Sequence, residues 1–337
     1  MHARTLLVAA LVAVPAFPSL AAAQDAVCTI TPAASPVAGF AADACQKAYD
    51  FSTFVMPQLG QALAGGGAII GTANTLGGLG KFSINLRATA VQGRLPEIDQ
   101  VTLTNGRNAS RIPTTESPVP APVVDVGIGI LPGFARGFLS LDGVVNVAYL
   151  PEGELEDVTL RTPSGRLAVG YGGRLGLTRD GKGLPAISVS YIRRDLPTAD
   201  LAGSFSGGTG GQDSLALTGF KVRTQSARVS LSKKLGFLEL GGGYGRDRYN
   251  TDLAVRARVS ETVLNVTSTA TAAFAQSLEV DREVFYGSVA VNFPVLKIAA
   301  EVGQHRGGTQ LTTFNTFVDG KQNEPRLFAS AGLRISF

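Results

Sequence analysis

The feature that most constrains this chain is an alternation of apolar and polar residues that returns ten times along it. In KFSINLRATAV, from Lys81, the residues Phe82, Ile84, Leu86, Ala88 and Ala90 share one parity, and Ser83, Asn85, Arg87 and Thr89 share the other. The same dyad recurs in 122–130, 139–149, 166–178, 186–194, 214–232, 237–246, 285–293, 296–305 and 326–337. Successive side chains of a strand point to opposite faces, so each segment reads as a strand with one apolar face. A half-buried soluble sheet would give any single one of them. The connections decide between the two. Short links at 132–137, 179–183, 233–236 and 294–296 alternate with long ones at 92–121, 150–165, 195–213, 247–284 and 306–325. Strands near the ~9–11 residues that a tilted membrane strand needs, with tight turns on one side and long loops on the other, predict an all-β, transmembrane, up-and-down antiparallel β-barrel. Ten strands are expected, or twelve to fourteen if 92–121 and 247–284 hold further pairs.

Composition agrees with a lipid-facing sheet. Charged residues are 17% of the chain, against about 25% in soluble domains, and glycine is abundant at 41. The net charge of +4 comes without clustered Lys/Arg runs, so no nucleic-acid partner is expected.

The opening MHARTLLVAALVAVPAFPSLAAAQ has a charged start, an apolar run and Ala21-Ala22-Ala23, which predicts a signal peptide over 1–23 and export. Export leaves Cys28 and Cys45 in an oxidising compartment with no other thiol, and a disulfide is expected. Closing so short a loop contributes about 3 kcal/mol, enough to order a local segment. Residues 43–64 carry Ala48, Phe51, Val55, Leu59, Ala62 and Leu63 near helical spacing, with Asp43 as a start signal and Gly65-Gly66-Gly67 as a stop. Pro57, Gln58, Gln61 and many glycines interrupt the charge-free run from Phe51 to Gly80, so a membrane-spanning helix is not expected. Three regions result: 1–23 for export, 24–80 as a disulfide-stapled segment with an amphipathic helix, and 81–337 as the barrel. The stripe of Phe51, Val55 and Leu59 predicts a plug helix seated in the short-turn, periplasmic side of the lumen.

The chain stops on FASAGLRISF, where Leu333, Ile335 and Phe337 alternate and the last residue is aromatic. This ending resembles the C-terminal signal of bacterial outer-membrane β-barrels. The resemblance implies residence in the outer membrane among lipid and lipopolysaccharide, reading of this strand by the barrel-assembly machinery, and closure against the first strand. The helix ahead of the first strand looks like the plug of the outer-membrane fatty-acid transporter family, and like that of other barrels with an inserted amphipathic helix. The short Asn-Pro-Ala motif of those transporters is missing, and Ala73-Asn74-Thr75-Leu76 stands in its place.

By parity the lumen receives Arg87, Arg166, Arg174, Arg194, Arg228, Lys297, Arg326 and Arg334 against Asp125, Asp142, Glu239 and Glu301. Either these fill a narrow lumen by pairing with one another and with water, or the surplus cations make a path favouring anions. His305, the only histidine after the export segment, shares their parity near the loop end. A rim hydrolase acting on lipid or lipopolysaccharide would use such a group, but neither a nucleophile-elbow nor a paired-carboxylate motif accompanies it. GLTRDGKG (176–183) imitates a phosphate loop, yet Gly183 replaces the Ser/Thr and Asp180-Gly181 reads as a hairpin turn. One histidine and two disulfide cysteines make no zinc site, so neither metal nor cofactor is expected. The expected role is that of a non-enzymatic, monomeric channel or transporter passing or binding a small or amphipathic solute whose identity stays open. The alternatives are the His305 hydrolase and a structural or adhesive barrel.

Overall fold

The computed structural model describes residues 28–337 apart from 98–100, 135–137, 151, 156–157, 182, 206–212, 265, 309–312 and 322. The export segment expected over 1–23 lies outside the described residues. The barrel strands are β1 (Phe82–Pro96), β2 (Thr114–Leu131), β3 (Ser140–Tyr149), β4 (Leu167–Thr178), β5 (Ala186–Asp195), β6 (Asp213–Leu235), β7 (Leu238–Val263), β8 (Val266–Asn292), β9 (Leu296–Arg306) and β10 (Arg326–Ser336). Each pairs antiparallel with the next, and β10 returns to β1 from Phe328↔Val91 to Ser336↔Ser83. Phe82 and Phe337 exchange backbone hydrogen bonds of 3.2 and 2.9 Å and stack their rings at 4.7 Å. The ring is therefore closed at Phe337, and closure removes the edge that lipid could not solvate.

The alternation falls on the two faces as expected. Ile84, Leu86, Leu333 and Ile335 are exposed on the outer wall, while Ser83, Asn85, Arg87 and Thr89 are buried inside. Exposed Phe82, Phe237, Phe293 and Phe337 ring the turn end, and exposed Tyr149, Tyr171, Tyr191 and Tyr244 lie toward the loop end. Two aromatic girdles around an apolar belt are the dress of a lipid-facing barrel. The extra residues of 92–121 and 247–284 lengthen β1, β2, β7 and β8 and add nothing to the ring of ten.

The wall is of unequal height. β7 and β8 stay paired up to Val263↔Val266, whereas β9 leaves β8 at Glu283↔Arg306. Above that level the sheet is widened by Val158–Arg161 and Ala199–Phe205 beside β6, and by Thr29–Thr31 on the free edge of β8 at Thr271–Ala273.

One helix, α1 (Ala38–Ala64), fills the space under this tall wall. Val37, Ala41 and Ala44 pack on Ala257, Val259, Ala270 and Ala272, and further along Ala48 and Met56 meet Phe220, Val222, Leu253 and Val255. The Cys28–Cys45 disulfide ties the preceding strand to the helix.

The helix corrects the sequence reading in three ways. It begins five residues before Asp43, which is buried within it and accepts hydrogen bonds from the Thr104 amide (2.8 Å) and hydroxyl (3.0 Å) and from Lys47. It sits in the loop-side half of the lumen and not the turn side. Asp43, Lys47 and Asp50 need polar partners when buried, and the long loops supply them: Thr102 and Thr104, and Asn315, whose amide and side chain donate to Asp50 at 2.9 and 2.6 Å. Finally, Phe51, Val55 and Leu59 are only half-buried, while Ser52, Thr53, Gln58 and Gln61 are fully buried. The helix is enclosed nearly all round, so no single apolar stripe seats it.

Candidate functional site

Below the helix, residues 65–80 run without regular structure down the turn-side half of the lumen to Lys81. An extended backbone buried away from a sheet has amides and carbonyls that need partners. The lumen charges supply them. Arg228 donates to the carbonyls of Gly66 (2.9 Å) and Gly65 (3.2 Å), Arg87 to that of Gly67 (3.2 Å), and Arg174 to that of Thr72 (3.4 Å). Carboxylates take the opposite groups: Glu301 accepts the Gly67 amide at 2.9 Å, and Asp142 accepts the Leu76 amide with both oxygens at 3.0 and 3.1 Å. The Thr72 hydroxyl donates to Glu239 at 2.6 Å, and Ser232 accepts the Ala73 amide at 2.9 Å.

The same charges pair with one another. Arg228 forks onto Asp247 at 2.5 and 2.8 Å, Arg174 meets Asp142 at 2.8 Å, Lys297 meets Glu239 at 2.5 Å, and Arg87 stands 3.4 Å from Asp125. Asp125 also accepts from Asn85 at 2.7 Å. Arg326 is buried, donates to the Gln92 carbonyl at 3.2 Å and lies over the Phe54 ring. Arg334 is half-buried near the turn end, and its Nε and Nη1 have no partner among the described residues.

Arg166 is not in the lumen. β4 begins one residue later, and the exposed guanidinium sits at the loop-side rim, forked onto Glu152 at 2.5 and 3.1 Å. The Thr162 amide and then Arg166 hold the Glu152 carboxyl down to about 2. Parity is meaningless once the strand has ended. Asp247, Tyr249 and Arg282 are buried lumen residues that the sequence reading missed, because 247–284 reads as a loop. Their signal is present: alternation continues through Tyr249, Thr251, Leu253 and Val255, all buried.

His305 is fully buried, with Nδ1 3.6 Å from Asp247 and the Phe328 ring centred 5.0 Å away. Neither ring nitrogen has a hydrogen-bond partner among the described residues.

A second feature lies beside the helix. β2 pairs with β3 only as far as Val123↔Ala148, but continues toward Thr114 paired with β1 alone. The Leu150 amide donates to the Arg166 carbonyl, just ahead of β4, so the backbone of Tyr149 faces β2, opposite position 122. Pro118, Pro120 and Pro122 occupy alternate positions on that edge. A proline has no N–H to offer a neighbouring strand, and three in alternation keep the edge unpaired. Behind this seam is a cavity of about 250 Å³ lined by Leu59, Ala62 and Leu63 of α1, by Val119, Ala121 and Ala148 of the inner wall, and by Leu196 and Phe220 at the rim. Pro120, Pro122 and Tyr149, exposed on the outer face, line it too, so the cavity reaches through the seam. A small void shares Leu63, Ala148, Ala168 and Leu196 with it and touches Arg194. Arg194 is buried; Nη1 donates to Ser226 at 3.2 Å, and Nε has no partner among the described residues.

No family model and no curated protein matches the chain. Similarity to solved structures is low. The outer membrane protease OmpT from Escherichia coli matches at 12% identity and TM-score 0.38, over 76% of this chain and 96% of that one. The toluene transporter TbuX of Ralstonia pickettii matches at 9% and 0.29, over 83% and 97%. Ail, the attachment invasion locus protein of Yersinia pestis, matches at 8% and 0.22, over 77% and 99%. Likeness at this level carries no argument about activity. The ring closed at Phe337 and the apolar belt between two aromatic girdles make this chain an outer-membrane β-barrel, filled by its own amino-terminal segment.

Proposed function

We propose that the barrel binds a small amphipathic molecule in the cavity between α1 and the wall, admits it through the proline-edged seam, and lets it pass onward only when residues 65–80 give way. The cavity carries this reading. A space of about 250 Å³ with this lining, open at the outer face, favours an apolar occupant. Water is a poor occupant, since Leu, Ala, Val and Phe give it no hydrogen-bond partners. An apolar guest of roughly eight non-hydrogen atoms fills the space, if each takes about the ~30 Å³ share of a water. Arg194, whose Nε is unpartnered beside the adjoining small void, suits an acidic head on that guest. The other partners of this reading are outer-membrane lipid, lipopolysaccharide and the barrel-assembly machinery, and it assigns no catalytic step to the chain. The test is calorimetric titration of the full chain in lipid nanodiscs with hexanoate and with 1-hexanol, against empty discs. Saturable binding of both is expected, lost in Ala62→Phe, with hexanoate alone weakened in Arg194→Met. Binding unaffected by Ala62→Phe, or absent from the native protein, overturns the assignment.

A further inference from the structure

We infer that residues 28–36 are presented at the cell surface, and that residues 28–80 pass through the barrel from outside to inside. The long loops of such barrels face the exterior and the short turns the periplasm. Thr29–Thr31 pair with Thr271–Ala273, ten residues beyond Glu283, where β9 leaves the wall. That is about 33 Å along the strand, on the loop side. Pro32, Ala33, Ala34 and Pro36 are exposed there, before α1 turns inward.

From that point the direction is fixed by independent contacts at successive depths. Asp43 and Lys47 hold the loop at Thr102 and Thr104, and Asp50 holds Asn315. Gln58 accepts the Arg94 amide near the loop end of β1 at 2.8 Å. Gly67 then reaches Glu301 in mid-barrel, and Leu76 reaches Asp142 in the lower half. An added Cβ on Gly78 would meet Pro132, just past the turn end of β2, at 2.9 Å. Lys81 then receives the Gly129 amide at 2.8 Å as β1 begins. No step reverses. The lumen along this path is occupied by α1 and then by the descending segment of residues 65–80.

The inference is independent of the cavity reading and concerns a different surface. It is tested on intact cells with a membrane-impermeant amine reagent, followed by peptide mass spectrometry of the native protein. Lys321 lies in a loop, and Lys81 and Lys234 lie at the turn end; all three are exposed and serve as internal references. Labelling of the α-amino group together with Lys321, and of Lys81 and Lys234 only after permeabilisation, is expected. An epitope inserted between Ala33 and Ala34 should bind antibody on intact cells. An α-amino group and an epitope that become reactive only after permeabilisation, with Lys321 already labelled, overturn the inference.

Discussion

Replacing Arg228 with methionine isolates what the lumen charges do. Arg228 is 3% exposed, and its guanidinium forks onto Asp247 and gives one hydrogen bond to each of the Gly65 and Gly66 carbonyls. The thioether side chain would fill much of the volume and satisfy none of them. Removing one member of a buried ion pair costs about 3–5 kcal/mol, because the other charge is left without its counterion. Two carbonyls losing a donor add about 1 kcal/mol or more each, offset where Tyr249 still donates to Asp247 at 3.0 Å. A net loss of about 4–6 kcal/mol is expected. Replacing Asp247 with leucine as well should recover about 2–4 kcal/mol, since an apolar pair avoids the stranded charge. The chain has no tryptophan, so denaturant unfolding in micelles is followed by tyrosine emission. A loss below about 1 kcal/mol, or a double variant no more stable than Arg228→Met, would refute the view that these charges are buried partners and not a solvated ion path.

Two further outcomes are expected. Deleting Phe337 removes its stack on Phe82 and both backbone hydrogen bonds closing the ring, so the yield of heat-modifiable, folded protein in the outer membrane should fall; unchanged yield counts against the closure argument. Burial lifts the Asp50 carboxyl from 3.8 to about 6 against the hydrogen bonds from Asn315, Phe314 and Gln46, so its contribution to stability is fully present below about pH 4 and is lost as pH rises through 6, by about 3 kcal/mol. Asp50→Asn should flatten the pH dependence of the unfolding midpoint across that window, and an identical slope in both proteins sinks the assignment.

The strands are legible because a barrel wall has one partner on each face: lipid outside, polar lumen inside. The dyad of β1 records both sides of that boundary in nine residues from Phe82 to Ala90. What the sequence conceals lies where that boundary is absent. In their upper parts β7 and β8 keep the alternation but reverse its sense, with Leu253, Val255, Ala257 and Val259 turned inward and Arg256 and Arg258 outward. The membrane pattern of the lower strand thus breaks off, and Asp247, Tyr249 and Arg282 escape notice. The polar residues of α1 look solvated, yet Asp43 and Asp50 are bound by loops sixty or more positions away, a pairing no local pattern can display. Residues 65–76 are held largely through their backbone amides and carbonyls, which every residue carries, with the Thr72 hydroxyl on Glu239 and the Thr75 hydroxyl on Ser140 as side-chain additions, so composition says little about them.

The passage of residues 28–80 through a ring closed by β10 also sets an order of events. Chain and ring are interlocked like a bolt in a nut, and α1 alone is 27 residues, about 40 Å of helix. Driving it into a finished cylinder, past charges that have already found one another, would strip each pair in turn. The route without that obstacle wraps the wall around a bolt already in position, with β10 meeting β1 last. The strand that completes the ring is then also the last of the ten to leave the ribosome, so biosynthesis and closure run in the same direction.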